Sequence, residues 1–208
     1  DYASLGNPIM RTPSVDSFKP ESMLFTRFHV SPTCSPCRSA LMSGRHEFKN
    51  GVTHTIRERE RMSLKTFTLP QMLKTAGYTS GVFGKWHLAS DPTGFDEWAV
   101  HPGQGSYYRP EYLTPKGKRS IGEYATDSTT DLSLDFLKRA EVSGQPFLLM
   151  CQYKAPHRAW QPAPEAPEPG GHAEDGDGDD IEHTFDEDRA EGAAQRDVAV
   201  ELQQVRAI

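Results

Sequence analysis

The run Pro146-Phe147-Leu148-Leu149-Met150-Cys151 limits the fold more than any other stretch. It is apolar throughout and of strand length, the pattern of a strand buried on both faces of a parallel sheet. Such a strand needs crossover helices to cover it, and the chain supplies candidates. Leu69, Met72, Leu73 and Ala76 recur at i, i+3, i+4 and i+7. Thr68 predicts an N-cap for that helix, Pro70 suits its first turn, and Gly77 ends it. A second helix is expected over residues 126–140, with Leu132, Phe136 and Leu137 on one stripe and Ser143-Gly144 as its stop. Residues 78–83 read as a strand running into Gly84-Lys85-Trp86-His87, and residues 23–30 as a short leading strand. Residues 46–62 and 92–104 read as loops, and 1–20 as turns.

Strand, helix, strand, helix, strand describes an α/β fold, a largely parallel sheet flanked by helices. Ligands of such sheets bind beyond the carboxyl ends of the strands. Gly84–His87 and Ala155-Pro156-His157 both fall there.

From Gln161 the composition turns to Pro, Gly and acid. Between residues 165 and 191, twelve Asp/Glu face Arg189 alone, which gives that stretch −11. The formal total is −6, so the rest of the chain carries +5. A mildly basic body suits a small anionic substrate. No Lys/Arg run with interleaved aromatics supports a nucleic-acid partner. Asp175, Asp177 and Asp179 alternate as in a calcium loop, but Asp180 stands where glycine is needed and Asp186 where glutamate is needed. That stretch reads as a solvated acidic run. No apolar run reaches the length of a membrane span. The chain opens on Asp1 without a signal-peptide pattern, as expected of a processed chain or a fragment.

Residues 31–45 read S-P-T-C-S-P-C-R-S-A-L-M-S-G-R. Cys34 and Cys37 form a C-x-x-C beside Arg38 at an expected helix start, a place suited to anions and reactive sulfur. A dithiol redox centre and half of a zinc site are both open readings. A zinc site lacks its second pair, because Cys151 is alone and His46, His54 and His87 have no zinc spacing.

The same stretch contains Cys34-x-Pro36-x-Arg38 followed by Ser43-Gly44-Arg45, which resembles the signature of type I sulfatases, members of the alkaline-phosphatase-like superfamily. Gly6-Asn7-Pro8, Arg11-Thr12-Pro13-Ser14-Val15-Asp16, the 69–78 segment, Gly84-Lys85-Trp86-His87-Leu88, Gly94-Phe95-Asp96-Glu97-Trp98 and Ala155-Pro156-His157 also match in family order. The resemblance implies an arylsulfatase-like sulfuric ester hydrolase. Cys34 maps to the position that a maturation enzyme oxidises to formylglycine, whose oxygen attacks the sulfate ester and also binds the metal, calcium or another divalent ion. Cys37 becomes a variable residue.

By the same resemblance Arg38 holds the formylglycine, and Lys85 and His87 bind the substrate sulfate. His157 lies near the leaving-group oxygen as a candidate general acid and substrate contact. Lys85 and His87 at i and i+2 would point to one side of an extended segment. Lys154 and Arg158 are given no role. The expected substrate is a sulfated small molecule or glycan, and the expected location periplasmic or extracellular.

Residues 1–160 are expected to be the N-terminal part of the catalytic domain, and 161–208 a disordered or aberrant tail. The resemblance implies that the family's metal-binding aspartates and its first strand fall outside this sequence, so the sheet is expected to be incomplete and these residues alone not to be a competent enzyme. A phosphonate or phosphodiester hydrolase and an inactive binding remnant are the alternatives.

Overall fold

The computed structural model describes residues 2–9 and 11–164. The acidic part of the tail, including the spacing from Asp175 to Asp186, lies outside the described residues. Two compact units divide the chain, Asp1–Phe28 with Pro162–Ile208, and His29–Gln161. In the first, the short helix α1 (Pro13–Asp16) starts at a proline, which has no N–H to leave unpaired. The Asp16 carboxylate accepts from the Ser4 N–H and the Thr12 hydroxyl, each at 3.0 Å. These bonds, Ser4 foremost, hold its pKa below the usual carboxylate range.

The second unit contains the helices α2 (Cys34–Ser43), α3 (Leu69–Thr75) and α4 (Ala125–Ser143). Its strands are β1 (Thr79–Lys85), β2 (Glu97–His101), β3 (Glu111–Thr114), β4 (Gly117–Ser120) and β5 (Phe147–Gln152). They form one sheet in the order β4-β3-β2-β1-β5. β1 runs parallel to both neighbours, and β3 and β4 add an antiparallel hairpin. The α/β class and the parallel centre agree with the sequence reading.

Period-2 alternation puts two cores on the two faces of the sheet. Val82 and Val100 face Met42 of α2, with Trp86, Leu88 and Phe95. Phe83 and Ala99 face Phe136 and Ala140 of α4, with Tyr112. Leu148 and Met150 join the first core and Leu149 the second.

Several expectations need correction. β5 is half-buried, because β1 pairs it on one side and no described strand covers the other. Residues 23–30 form no strand, and Met23, Phe25 and Phe28 are exposed. β-branched and aromatic residues favour a strand only where a neighbour pairs with them. β2 lies within residues 92–104, expected to be loop. Pro92, Gly94, Pro102 and Gly103 give this segment a turn composition, whereas pairing with β1 from Gly81↔Glu97 to Lys85↔His101 decides the structure. α3 is capped as expected: the Thr68 N–H donates to Gln71 Oε1 at 2.8 Å and the Thr68 hydroxyl to the Thr93 carbonyl at 2.9 Å. Its expected apolar face is not covered, however. Met72 is exposed, Leu69 and Leu73 are half-buried, and Pro70 is the buried residue.

Gly84 lets β1 and β5 approach at their carboxyl ends. Its φ is +98°, and a Cβ there would lie 2.0 Å from the Gln152 carbonyl oxygen. Gly84→Ala therefore meets both a backbone penalty and a backbone clash. Destabilisation of at least about 2 kcal/mol is expected in urea unfolding, and an unchanged midpoint would refute this account of the contact.

β2 ends on His101, whose ring lies 4.4 Å from that of Tyr112. Burial pushes its imidazole down to about 4, against a bond to the Glu111 carbonyl, with Lys154 and Lys85 acting in the same direction as burial. The unfolded chain takes up this proton near 6.5, while the fold refuses it until about 4. Stability from His101 is thus complete above pH 6.5 and falls as pH drops toward 4, by about 3 kcal/mol for a shift of this size. Unfolding free energy measured against pH should show this slope, and His101→Gln should make it shallower by the share that His101 contributes.

Candidate functional site

The carboxyl ends of β2, β1 and β5 lie side by side, with Lys85 in register with His101 and Gly84 with Gln152. α2 is docked against these ends by two side chains of its first turns. Ser35 donates to the His87 carbonyl at 2.6 Å. Arg38 Nη1 donates to the Lys85 carbonyl at 2.5 Å and also to Gln152 Oε1. Burial lowers the Arg38 pKa, opposed by Cys34 and Cys37 nearby.

This docking sets Cys34, the first residue of α2, 3.1 Å from His87 Nδ1. His87 is buried and sits at φ +53°, a region that non-glycine residues seldom adopt outside turns and functional sites. Lys85 and His87 therefore do not continue one extended strand, as the i and i+2 spacing implied. β1 ends at Lys85, and the turn of the backbone aims His87 back at α2. On its other side His87 Nε2 is 3.2 Å from Glu60 Oε2.

Burial, with Lys85, Arg38 and His157 adding positive potential, pushes the His87 imidazole down to about 4. It is neutral at pH 7, so the Glu60 contact is an N–H donated to a carboxylate. Assigning the proton to Nε2 from this bond leaves Nδ1 as an acceptor facing residue 34.

Lys85 is 4% exposed, with no carboxylate partner among the described residues. Burial lowers its pKa; Cys34 opposes this, and Arg38 and Lys154 add to it. His157 stands apart from these contacts. Its Nδ1 is 2.5 Å from the Arg158 carbonyl, its own carbonyl accepts from the Tyr107 hydroxyl at 2.6 Å, and it reaches His87 through charge.

Cys34, Arg38, Lys85 and His87 thus converge, and His157 borders them. Cys37 lies on α2 as a free thiol, half-buried like Cys34 and Cys151. Sequence reasoning missed Glu60, which falls in a polar segment without periodicity. It also missed Gln152, which is legible only through its register with Gly84, and Tyr107, which a long loop brings back to the β5 end. Among the described residues, no three His, Cys, Asp or Glu side chains converge to hold a metal ion. The described residues therefore offer no such cluster for the calcium that the resemblance implies. No described helix is long and apolar enough to cross a membrane.

The arrangement offers a polarisable residue at a helix start, a neutral imidazole to accept a proton from it, and buried cations to hold an anion. The chain as a whole is similar to known proteins. An N-acetylglucosamine-6-O-sulfatase of Bacteroides thetaiotaomicron is 36% identical, over 76% of this chain and 28% of its own length. An N-acetylgalactosamine-6-sulfatase of Canis lupus familiaris is 32% identical, over 76% of this chain and 37% of its own. The chain thus spans about a third of the curated relatives it matches. The solved structure of BT4656 in complex with its substrate D-glucosamine-2-N,6-O-disulfate superposes with a TM-score of 0.72 at 32% identity, covering 81% of this chain and 36% of that one. The Sulfatase family model matches residues 1–205. Because that match runs through nearly the whole sequence, the chain belongs to the sulfatase family.

Proposed function

We propose that the protein is a sulfuric ester hydrolase that works through formylglycine made from Cys34 and acts on a 6-O-sulfated amino sugar. The observation that carries this reading is the 3.1 Å approach of Cys34 to a neutral His87, beside a buried Lys85 that has no counter-ion among the described residues. The relatives named for 6-sulfated hexosamines support the substrate class. A maturation enzyme that reads C-x-P-x-R is the implied partner.

Oxidised to an aldehyde and hydrated, residue 34 supplies an oxygen nucleophile toward the ester sulfur. Lys85 holds the sulfate oxygens, where negative charge concentrates in the transition state. His87 Nδ1 accepts the proton of the nucleophile, and Glu60 fixes the imidazole in the tautomer that can do so. His157, at the β5 end, donates a proton to the departing sugar oxygen. Arg38 fixes α2 on the strand ends, so the nucleophile does not drift from Lys85.

His87→Ala in the matured enzyme that carries this sequence should lower kcat by roughly 10²–10⁴-fold, as loss of a positioned proton acceptor does. Glu60→Gln should give a smaller fall with KM little changed. Cys34→Ala should abolish turnover and Cys37→Ser should leave it near the parent rate, whereas a dithiol redox centre requires the opposite of Cys37. Matched aryl sulfate and aryl phosphate esters test the reaction class. Faster turnover of the phosphate would overturn the sulfatase reading.

A further inference from the structure

We propose that Lys154 is a second anion-contacting residue of this site, sharing the substrate sulfate with Lys85; the proposal rests on the sulfatase reading above. β1 lies between β2 and β5, and the loops that follow those two neighbours join across its end. Lys154 Nζ donates to the Gln104 carbonyl at 3.3 Å, and the Tyr107 hydroxyl donates to the His157 carbonyl at 2.6 Å. The Lys154 ammonium also lies 4.5 Å from the centre of the Tyr107 ring. Tyr107 itself is buried, stacked 6.2 Å from Tyr124. Two loops and a fixed aromatic ring therefore hold this ammonium over the strand end that Lys85 occupies.

A structural lysine at this depth needs a counter-ion, because an unpaired buried charge is costly. Lys154 is 8% exposed and has no carboxylate partner among the described residues. An ammonium carries three donors, and one long bond with one ring face leaves it underserved. Burial lowers its pKa, and it lowers that of Lys85 in turn. Next to both, His101 Nε2 is buried without a hydrogen-bond partner. Two buried ammonium groups, neither paired with a carboxylate among the described residues, are complementary to an anion that arrives from outside.

Lys85 feels the charges of Cys34, Arg38 and Lys154, so residue 34 and Lys154 both border it.

Calorimetry with inorganic sulfate, on protein whose Cys34 is still a thiol, tests this without turnover. Lys154→Gln keeps a donor for the Gln104 carbonyl and removes the charge. It should weaken sulfate at least about tenfold, as expected for loss of one charge-assisted bond. Lys154→Arg should stay near the parent affinity. Parent-like binding by Lys154→Gln, with Lys85→Met losing sulfate, would overturn the proposal and leave the sulfatase reading standing. Equal loss in the Gln and Arg variants would assign Lys154 to packing on Tyr107 and also overturn it. A parent protein that binds no sulfate would overturn both readings.

Discussion

The Arg38 guanidinium bonds to the last carbonyl of β1 and to Gln152 at the end of β5, so one side chain ties a helix to two parallel strands. A planar cation with several fixed donors suits this task better than a lysine, whose point charge cannot address two acceptors in fixed directions. The tie works only because β1 and β5 come close at Gly84, where a Cβ has no room. Sheet packing below, with Val82 and Phe83 pointing into opposite cores, keeps β1 from shifting along its neighbours. Position 34 then follows from position 38, one helical turn away.

Electrostatics completes what packing begins. Arg38, Lys85 and Lys154 are withdrawn from water at one end of the sheet, and the carboxylate that reaches the group, Glu60, is engaged by His87. The same positive potential and burial keep His87 neutral, so it can receive a proton rather than add another charge. On the proposed reading, a binding basin for an anion and a proton acceptor for the nucleophile are two results of one charge distribution.

Much of this was legible in the chain. The helix at Cys34, the cap at Thr68, the central strand before Lys85 and the apolar strand before His157 each rest on local patterns, and each formed. β2 was not legible, because its five residues sit among prolines and glycines and gain their order from β1. The strand expected over residues 23–30 failed for the converse reason: its composition favours β structure, but no described strand pairs with it. Local pattern found Lys85, His87 and His157 through the family motif. It could not find Glu60 or Tyr107, whose roles exist only through contacts 27 and 50 residues away in sequence, with His87 and with the His157 carbonyl. The positive φ of His87 was equally hidden, although it is what turns that ring toward α2.

The central claim is that residue 34 acts as an aldehyde-derived nucleophile and not as a thiol. Mass spectrometry of the peptide spanning residues 31–45, from protein produced with a formylglycine-generating enzyme and active on a sulfate ester, tests it directly. The account predicts an aldehyde at Cys34 with Cys37 still a thiol. A preparation that hydrolyses the ester while Cys34 remains an unmodified thiol would contradict it.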